Sequence, residues 1–297
     1  MPTRMHRGPR AIVRWAHAKV NLVLDVRRRR EDGYHELSSV MAEVTLADRI
    51  TVVASSTSEV VWENAPAPRG DLAAAALAAM TALHPGRCAQ VRVHKAIPAG
   101  TGLGGGSSDA AAVIAGLAEL WETGDDPAAL ARVARGLGAD VPFFLRGGVQ
   151  WARGAGEVLT PLPPARLTLL LAVPPVAVST REAFAAWDEA GGPSSPGRAE
   201  RLAAALAQGA EITAGLLGND LEPVVARRWP EVARVRDAMA ALGLAPVMTG
   251  SGSALVAPVD PGLAPEALRA LEPLAAASVV KLRAPARGHG GPGPEDR

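Results

Sequence analysis

The sequence has little of what a disulfide-stapled, metal-clustered or membrane-spanning protein needs. One cysteine, Cys88, stands in 297 residues. It has no intrachain partner, and with no CxxC pair or Cys/His set there is nothing to hold a structural zinc. A reducing compartment, the cytoplasm, is the expectation. Aromatic residues make up 3% of the chain and include a single tyrosine, so the position of that tyrosine carries information. Charge of neither sign prevails: 31 Lys and Arg face 30 Asp and Glu, a formal net charge of +1. Such a balance gives no overall pull toward nucleic acid or anionic lipid, and any phosphate recognition must be local. Long hydrophobic runs are missing as well. The most apolar stretch, Leu167 to Val178, is too short for a bilayer and is broken by Pro174 and Pro175. The basic start, Met1 to Arg10, has no apolar segment behind it and does not read as a secretory signal.

What is present, 48% hydrophobic and 21% charged residues, is the composition of a globular protein. The length suits two domains. Ile12 to Val26 alternates as a strand does, with Ala18, Val20, Leu22 and Leu24 on one face and Lys19, Asn21, Val23 and Asp25 on the other. The basic run Arg27 to Arg30 leads into a turn at Asp32-Gly33. Strands are expected at Arg49 to Ala54, Gln90 to Ile97, Leu167 to Val173 and Ala254 to Ala257. Helices are expected over Asp71 to Leu83, Ser107 to Trp121, Pro127 to Leu137, Pro230 to Leu242 and Pro265 to Leu274, with two more flanking a loop at Gly191 to Gly197. The mixture lacks the strict alternation of a doubly wound sheet, so the fold class is α+β. The Pro-rich stretch Pro161 to Pro164 is the candidate boundary, giving domains at 1–160 and 161–283 and a disordered Gly/Pro-rich tail at 284–297.

The densest signal is Pro98-Ala99-Gly100-Thr101-Gly102-Leu103-Gly104-Gly105-Gly106-Ser107-Ser108-Asp109. Placed between a strand and a helix, its glycines leave backbone N–H groups free to approach an anion, and the helix N-terminus adds its own donors. Ser107 and Ser108 either cap that helix or offer a hydroxyl to a phosphate oxygen or Mg²⁺. The plainer reading is a flexible loop with a serine cap. Gly100, Gly102 and Gly105 satisfy GxGxxG, but a dinucleotide fold expects a carboxylate about twenty residues on, at the end of a second strand. Here Glu119 and Glu122 end the same helix. No Gly-Lys-Ser/Thr closes the loop as in a P-loop, and the protein-kinase His-Arg-Asp and Asp-Phe-Gly signatures are absent.

The run Pro98 to Ala112 resembles the central motif of the galactokinase, homoserine kinase, mevalonate kinase and phosphomevalonate kinase superfamily. Ala16-His17-Ala18-Lys19-Val20-Asn21-Leu22 resembles its first motif, and Met248-Thr249-Gly250-Ser251-Gly252-Ser253 its third. The visible departures are His17, where the first motif usually has Pro, and Thr101 in the loop. The resemblance implies a two-domain small-molecule kinase. Its N-terminal ATP-binding domain would have a fold also seen in ribosomal proteins, and its C-terminal domain would be a ferredoxin-like α/β plait. ATP would be the co-substrate, with Mg²⁺ held mainly by phosphates and water and no dedicated protein metal site.

The same resemblance implies that Pro98 to Ser108 wrap the triphosphate and that Gly250, Ser251 and Gly252 form a second glycine turn nearby. Asp140, in Gly138-Ala139-Asp140-Val141, matches the catalytic base; without the resemblance it reads as a turn cap. Lys19 reads either as an edge residue reaching for water or as a cation aimed into a cleft. The resemblance favours the cation, orienting the accepting hydroxyl, with Asn21 holding substrate.

Asp32-Gly33-Tyr34-His35 resembles the element of those members that phosphorylate 4-diphosphocytidyl-2-C-methyl-D-erythritol in the non-mevalonate route to isoprenoids. Tyr34 offers a stacking face and His35 a hydrogen-bonding edge to a cytosine; a hairpin turn with a half-buried tyrosine is the plainer reading. The arginines at 27–30 read as a solvated hairpin face, and Asn219-Asp220-Leu221-Glu222 as a capped helix start. His6, His84, His94 and His289 form no constellation. The expected partners are small molecules, with neither nucleic acid nor membrane. Two other readings are a sister kinase for a mevalonate-like or homoserine-like acceptor, and a non-enzymatic RNA-binding module. The balanced charge and the lack of aromatics among basic residues argue against the second.

Overall fold

The computed structural model describes residues 10–192 and 194–285. The basic start, His6, His289 and the tail beyond Pro285 lie outside them. Two long strands open the fold, β1 (Ala11–Arg29) and β2 (His35–Ala54). They meet at the expected turn, where Gly33 N donates to Arg30 O at 3.1 Å and Tyr34 N to Asp32 Oδ1 at 3.1 Å. From Ala18 to Val26 every residue of β1 is buried, so the alternation in its sequence does not mark a solvent face there. β3 (Glu59–Trp62) follows, then α1 (Leu72–Leu83). Asp71 caps α1: its carboxylate accepts from Ala74 N at 3.0 Å and from Trp62 Nε1 at 2.9 Å.

β4 (Ala89–His94) leads through the glycine loop into α2 (Gly105–Trp121). α3 (Pro127–Leu137) starts on an Asp126 cap with Pro at its first position and stops at Gly138. The apolar run after Asp140 forms a short helix, α4 (Val141–Arg146). A hairpin of β5 (Val149–Gly154) and β6 (Val158–Pro161) comes next. The later part holds β7 (Thr168–Val173), α5 (Thr180–Glu189), α6 (Arg198–Ala207), β8 (Gly218–Asn219), α7 (Glu222–Arg228) and α8 (Pro230–Ala241). It ends with β9 (Val247–Met248), β10 (Leu255–Pro258), α9 (Ala264–Leu271) and β11 (Ala276–Lys281). No helix among the described residues is long and apolar enough to cross a membrane.

The chain forms two compact units. Of the described residues, the first takes 10–18, 46–98 and 104–145; the second takes 19–45, 99–103, 146–192 and 194–285. In the first, β4 lies between β3, parallel to it, and the end of β2, antiparallel to it. Its core joins Ile50, Val52, Val91 and Val93 of these strands to Leu77 and Met80 of α1 and Ile114 and Leu117 of α2. In the second, β7, β9, β10 and β11 form an antiparallel sheet in the order β11-β7-β10-β9. With helices between β7 and β9 and between β10 and β11, this is the strand order of the expected ferredoxin-like plait. Its core sets Leu170, Ala172, Leu255 and Ala257 against Trp187, Val225, Val235 and Leu271.

Candidate active site

Within the second unit, pieces of all three motifs meet. The Lys19 backbone N–H donates to Leu103 O at 3.0 Å, which ties β1 to the start of the glycine loop. The Lys19 ammonium is buried at 5% exposure and donates to Asn21 Oδ1 at 2.5 Å, so the edge reading of this lysine does not hold. Asn21 is fixed on both sides. Its backbone N–H donates to Thr249 Oγ1 at 2.7 Å, and its side-chain amide donates to Ser39 Oγ at 2.7 Å. Ser39 in turn donates to Val23 O at 2.6 Å.

The two glycine turns touch backbone to backbone. A β-carbon at position 102 would stand 2.5 Å from Thr249 O, and one at position 250 would stand 2.8 Å from Gly102 O and 3.3 Å from Lys19 Nζ. Only glycine permits that approach. Around the contact, Ala254 N donates to Thr101 O at 3.2 Å, Gly252 N to Thr249 O at 3.1 Å and Val178 N to Gly100 O at 3.2 Å, and the Ser251 hydroxyl pairs with Thr180 at 2.9 Å. The result is a buried lysine held beside two glycine-rich chain segments that pack on each other. Pro98 is half-buried and Ala99 exposed at the entry to the loop.

In the first unit, α2 starts at Gly105 with Gly104 as its left-handed cap residue and no side-chain cap bond. The serine cap therefore does not form. Ser107 and Ser108 lie inside the first turn, whose backbone donors have no side-chain acceptor from the cap residue. Gly106 is exposed there. Beneath this turn Lys95 is gripped by Asp48 and by Asp109, the latter at 2.7 Å. Asp48 also accepts from Ala96 N at 2.5 Å and Ile97 N at 2.8 Å, which fixes the chain entering the loop. Asp109 is pushed up to about 7, first by burial and then by Asp48, against the pull of Lys95; its Oδ1 has no partner. Asp140 is half-buried, immediately ahead of α4.

The acceptor candidates belong to the second unit. Tyr34 is 66% exposed at the hairpin tip, whereas His35 is buried, with its imidazole turned onto α5. The arginine run is a hairpin face laced with ion pairs: Arg27 to Glu200, Arg28 to Glu36, Arg29 to Asp188, and Arg30 to Asp32 and Glu157. His84 bonds Asp125 at 3.0 Å and packs on Trp121, while His94 faces Glu63 at 3.5 Å.

Sequence reasoning misread Asn219. It is not a helix cap: α7 starts later, with Leu221 at its cap position and no side-chain cap bond. The buried Asn219 amide donates to Met248 O and Gly250 O, each at 2.8 Å, and so braces the third motif from β8. Asp220 serves the fold, accepting from Val26 N at 2.9 Å and pairing with Arg198. Lys95 and Asp48 were also passed over. Their signal was slight: a lysine just past a strand whose buried residues are Ala89, Val91 and Val93, and an aspartate inside a long, mostly buried strand.

Comparison with known proteins agrees with this geometry. The family models for the GHMP kinases N terminal domain and GHMP kinases C terminal match residues 71–148 and 182–275. The chain is 42% identical over 249 residues to the 4-diphosphocytidyl-2-C-methyl-D-erythritol kinase of Pelotomaculum thermopropionicum, covering 80% of this chain and 85% of that one. It is 44% identical over 265 residues to the enzyme of the same name from Thermus thermophilus, covering 86% and 92%. A crystal structure of 4-(cytidine 5'-diphospho)-2C-methyl-D-erythritol kinase superposes with a TM-score of 0.76 at 41% identity, covering 91% of this chain and 99% of that chain. On motifs that meet in three dimensions and on relatedness over most of its length, the chain belongs to the 4-diphosphocytidyl-2-C-methyl-D-erythritol kinase family of the GHMP kinases.

Proposed function

We infer that this protein is an ATP-dependent kinase that phosphorylates the 2-hydroxyl of 4-diphosphocytidyl-2-C-methyl-D-erythritol, a step of the non-mevalonate route to isoprenoid precursors. The observation that carries the reading is the packing of Gly102 on Gly250 with the Lys19 ammonium beside them. Phosphoryl transfer asks mainly for positioned donors and positive charge around the moving group. The glycine turns and the uncapped first turn of α2 are suited to take the phosphates through backbone N–H groups, with Ser107 and Ser108 adding hydroxyls. Mg²⁺ arrives with the nucleotide as part of the substrate and offsets phosphate charge. No cluster of three or more His, Cys, Asp or Glu side chains suited to a metal occurs among the described residues.

In the proposed reaction the substrate hydroxyl oxygen attacks the γ-phosphorus. A new O–P bond forms, the bond to the β–γ bridging oxygen breaks, and ADP leaves with that electron pair. Asp140 takes the hydroxyl proton, and Lys19 stabilises the charge growing on the attacking oxygen. Asn21, held by Thr249 and Ser39, positions the acceptor. Tyr34 supplies a stacking face for the cytosine, and His35 lies next to it. Residues 1–160 are assigned to ATP binding and 161–283 to the second half of the kinase; the matched segments fall inside these spans. The single cysteine supports a cytoplasmic setting.

An ADP-release assay tests the reading. Turnover is expected with the cytidyl substrate, and at least about a hundredfold lower kcat/KM with mevalonate or homoserine. Equal or better turnover of either of those would overturn the acceptor assignment.

A further inference from the structure

Lys95 and two carboxylates form a cluster against the first turn of α2. Gly105 and Asp109 lie four residues apart, on one face of that helix. The Lys95 ammonium meets both: it donates to Asp109 Oδ2 at 2.7 Å, and a β-carbon at position 105 would stand 3.3 Å from it. It donates to Asp48 as well. The two buried carboxylates are unequally served. Asp48 accepts from the ammonium and from the Ala96 and Ile97 backbones. Among the described residues Asp109 accepts from the ammonium alone, and its Oδ1 is buried without a partner. Negative charge therefore settles on Asp48 and the proton on Asp109, where burial first, and then Asp48, push the carboxyl up to about 7 against the pull of Lys95. With its proton, Asp109 can also donate to Asp48, which two carboxylates cannot do. The helices packed on α2 bring apolar side chains, Leu77 and Met80 from α1 and Leu130 and Ala134 from α3. The nearby charges have other partners: Asp71 accepts from Trp62 and Ala74, His94 pairs with Glu63, and Arg14 pairs with Glu119 at the far end of α2.

We propose that Asp109 is a positioning residue for the nucleotide, acting through the first turn of α2: a proton on Asp109 and phosphates on that turn favour each other's binding. The proposal rests on the reading above that this turn takes the phosphates of ATP. Four residues of helix span about 6 Å, so an ionised Asp109 would set a negative charge close beneath the phosphates and compete with them for the positive end of the helix. In a buried setting, repulsion at that range supports a coupling of about tenfold. The protonated acid removes the repulsion and leaves the Lys95 charge beside Gly105, offset by Asp48 alone. Nucleotide affinity is then full below the pH at which free Asp109 ionises, and it falls as pH rises through that point. Linkage demands the reverse as well. Bound nucleotide tightens the hold of Asp109 on its proton, so binding above that point takes a proton from solution.

Titration calorimetry of the full chain with a magnesium-bound, non-hydrolysable ATP analogue tests this, with wild type and Asp109→Asn compared. The difference between the two proteins cancels titration of the nucleotide and of other groups. At pH 7.5, in buffers of different ionisation heat, wild type is expected to take up about half a proton more per nucleotide than the variant, as a tenfold coupling requires. From pH 6 to pH 8.5 the wild-type Kd should rise about fivefold to tenfold relative to that of Asp109→Asn. A residue that only braced the helix would change Kd by the same factor at every pH. The carboxyl ¹³C resonance of Asp109 in the wild type, assigned through the backbone, gives a second reading that needs no variant. It should titrate at higher pH with the analogue bound. Equal proton uptake by the two proteins, a constant ratio of Kd values, or an Asp109 titration that stays put or moves down would overturn the proposal while leaving the kinase assignment in place. Failure of the wild type to bind the analogue at any pH would instead remove the phosphate reading of this turn.

Discussion

A carboxyl group buried beside a second carboxylate holds its proton to higher pH, and Asp109 has both causes acting on it. Folded, it stays protonated to about pH 7; in the unfolded chain it ionises near its ordinary value of 3.8. Between those values the native state binds the extra proton, so stability falls as pH rises through the window and levels off above it. Asp109→Asn cannot ionise and loses that slope. Its melting temperature relative to wild type is expected to climb from pH 4 to pH 7; a constant difference over that range would contradict the account. At this scale the strand pattern left Lys19 open between an edge and a cleft, and only the resemblance favoured the cleft; its burial and its bond to Asn21 come from the fold. Asn219 was misread because Asn-Asp-Leu-Glu has the composition of a helix start. Its true partners, Met248 O and Gly250 O, lie about thirty residues downstream, and no local pattern announces them.

Among elements, those with chemical punctuation were read to within a few residues. Asp71 starts α1, and Asp126-Pro127 and Gly138 bracket α3. β3, β5, β6, β8, β9 and β11 were not read. β11 has the sequence AASVVK, whose weak β character is overridden by six paired positions along β7. The start of α2 also departed from its composition, since a glycine rather than a serine takes the cap position. The packing of the two glycine turns gives a prediction at this level. Gly102→Ala puts a methyl 2.5 Å from Thr249 O, so the turns must separate. A loss in kcat/KM of about a hundredfold or more is expected, as for a small misplacement of catalytic groups. Gly136→Ala, on α3 with nothing within 4 Å, serves as the control and should leave turnover unchanged. Near-normal activity of Gly102→Ala would show that the contact is dispensable.

For the whole molecule, hydrophobic composition and the absence of regular alternation were enough for α+β, and the strand order of the plait emerges only from pairing. Chain order and compactness are different divisions here. Both long strands pass from one compact unit to the other without a glycine or proline at the crossing, so composition carries no mark of it. The Pro-rich stretch at 161–164 marks chain order alone.

The central claim is direct transfer of the γ-phosphoryl group to one hydroxyl, with Lys19 and Asp140 in charge of that oxygen. Phosphorus NMR of the cytidyl substrate with ATP follows both products at once. A phosphomonoester signal should grow in step with ADP, and it should vanish with Lys19→Ala or Asp140→Asn while their far-ultraviolet spectra and melting temperatures stay close to wild type. ADP appearing without a phosphomonoester, or either folded variant retaining near-wild-type turnover, would contradict the account.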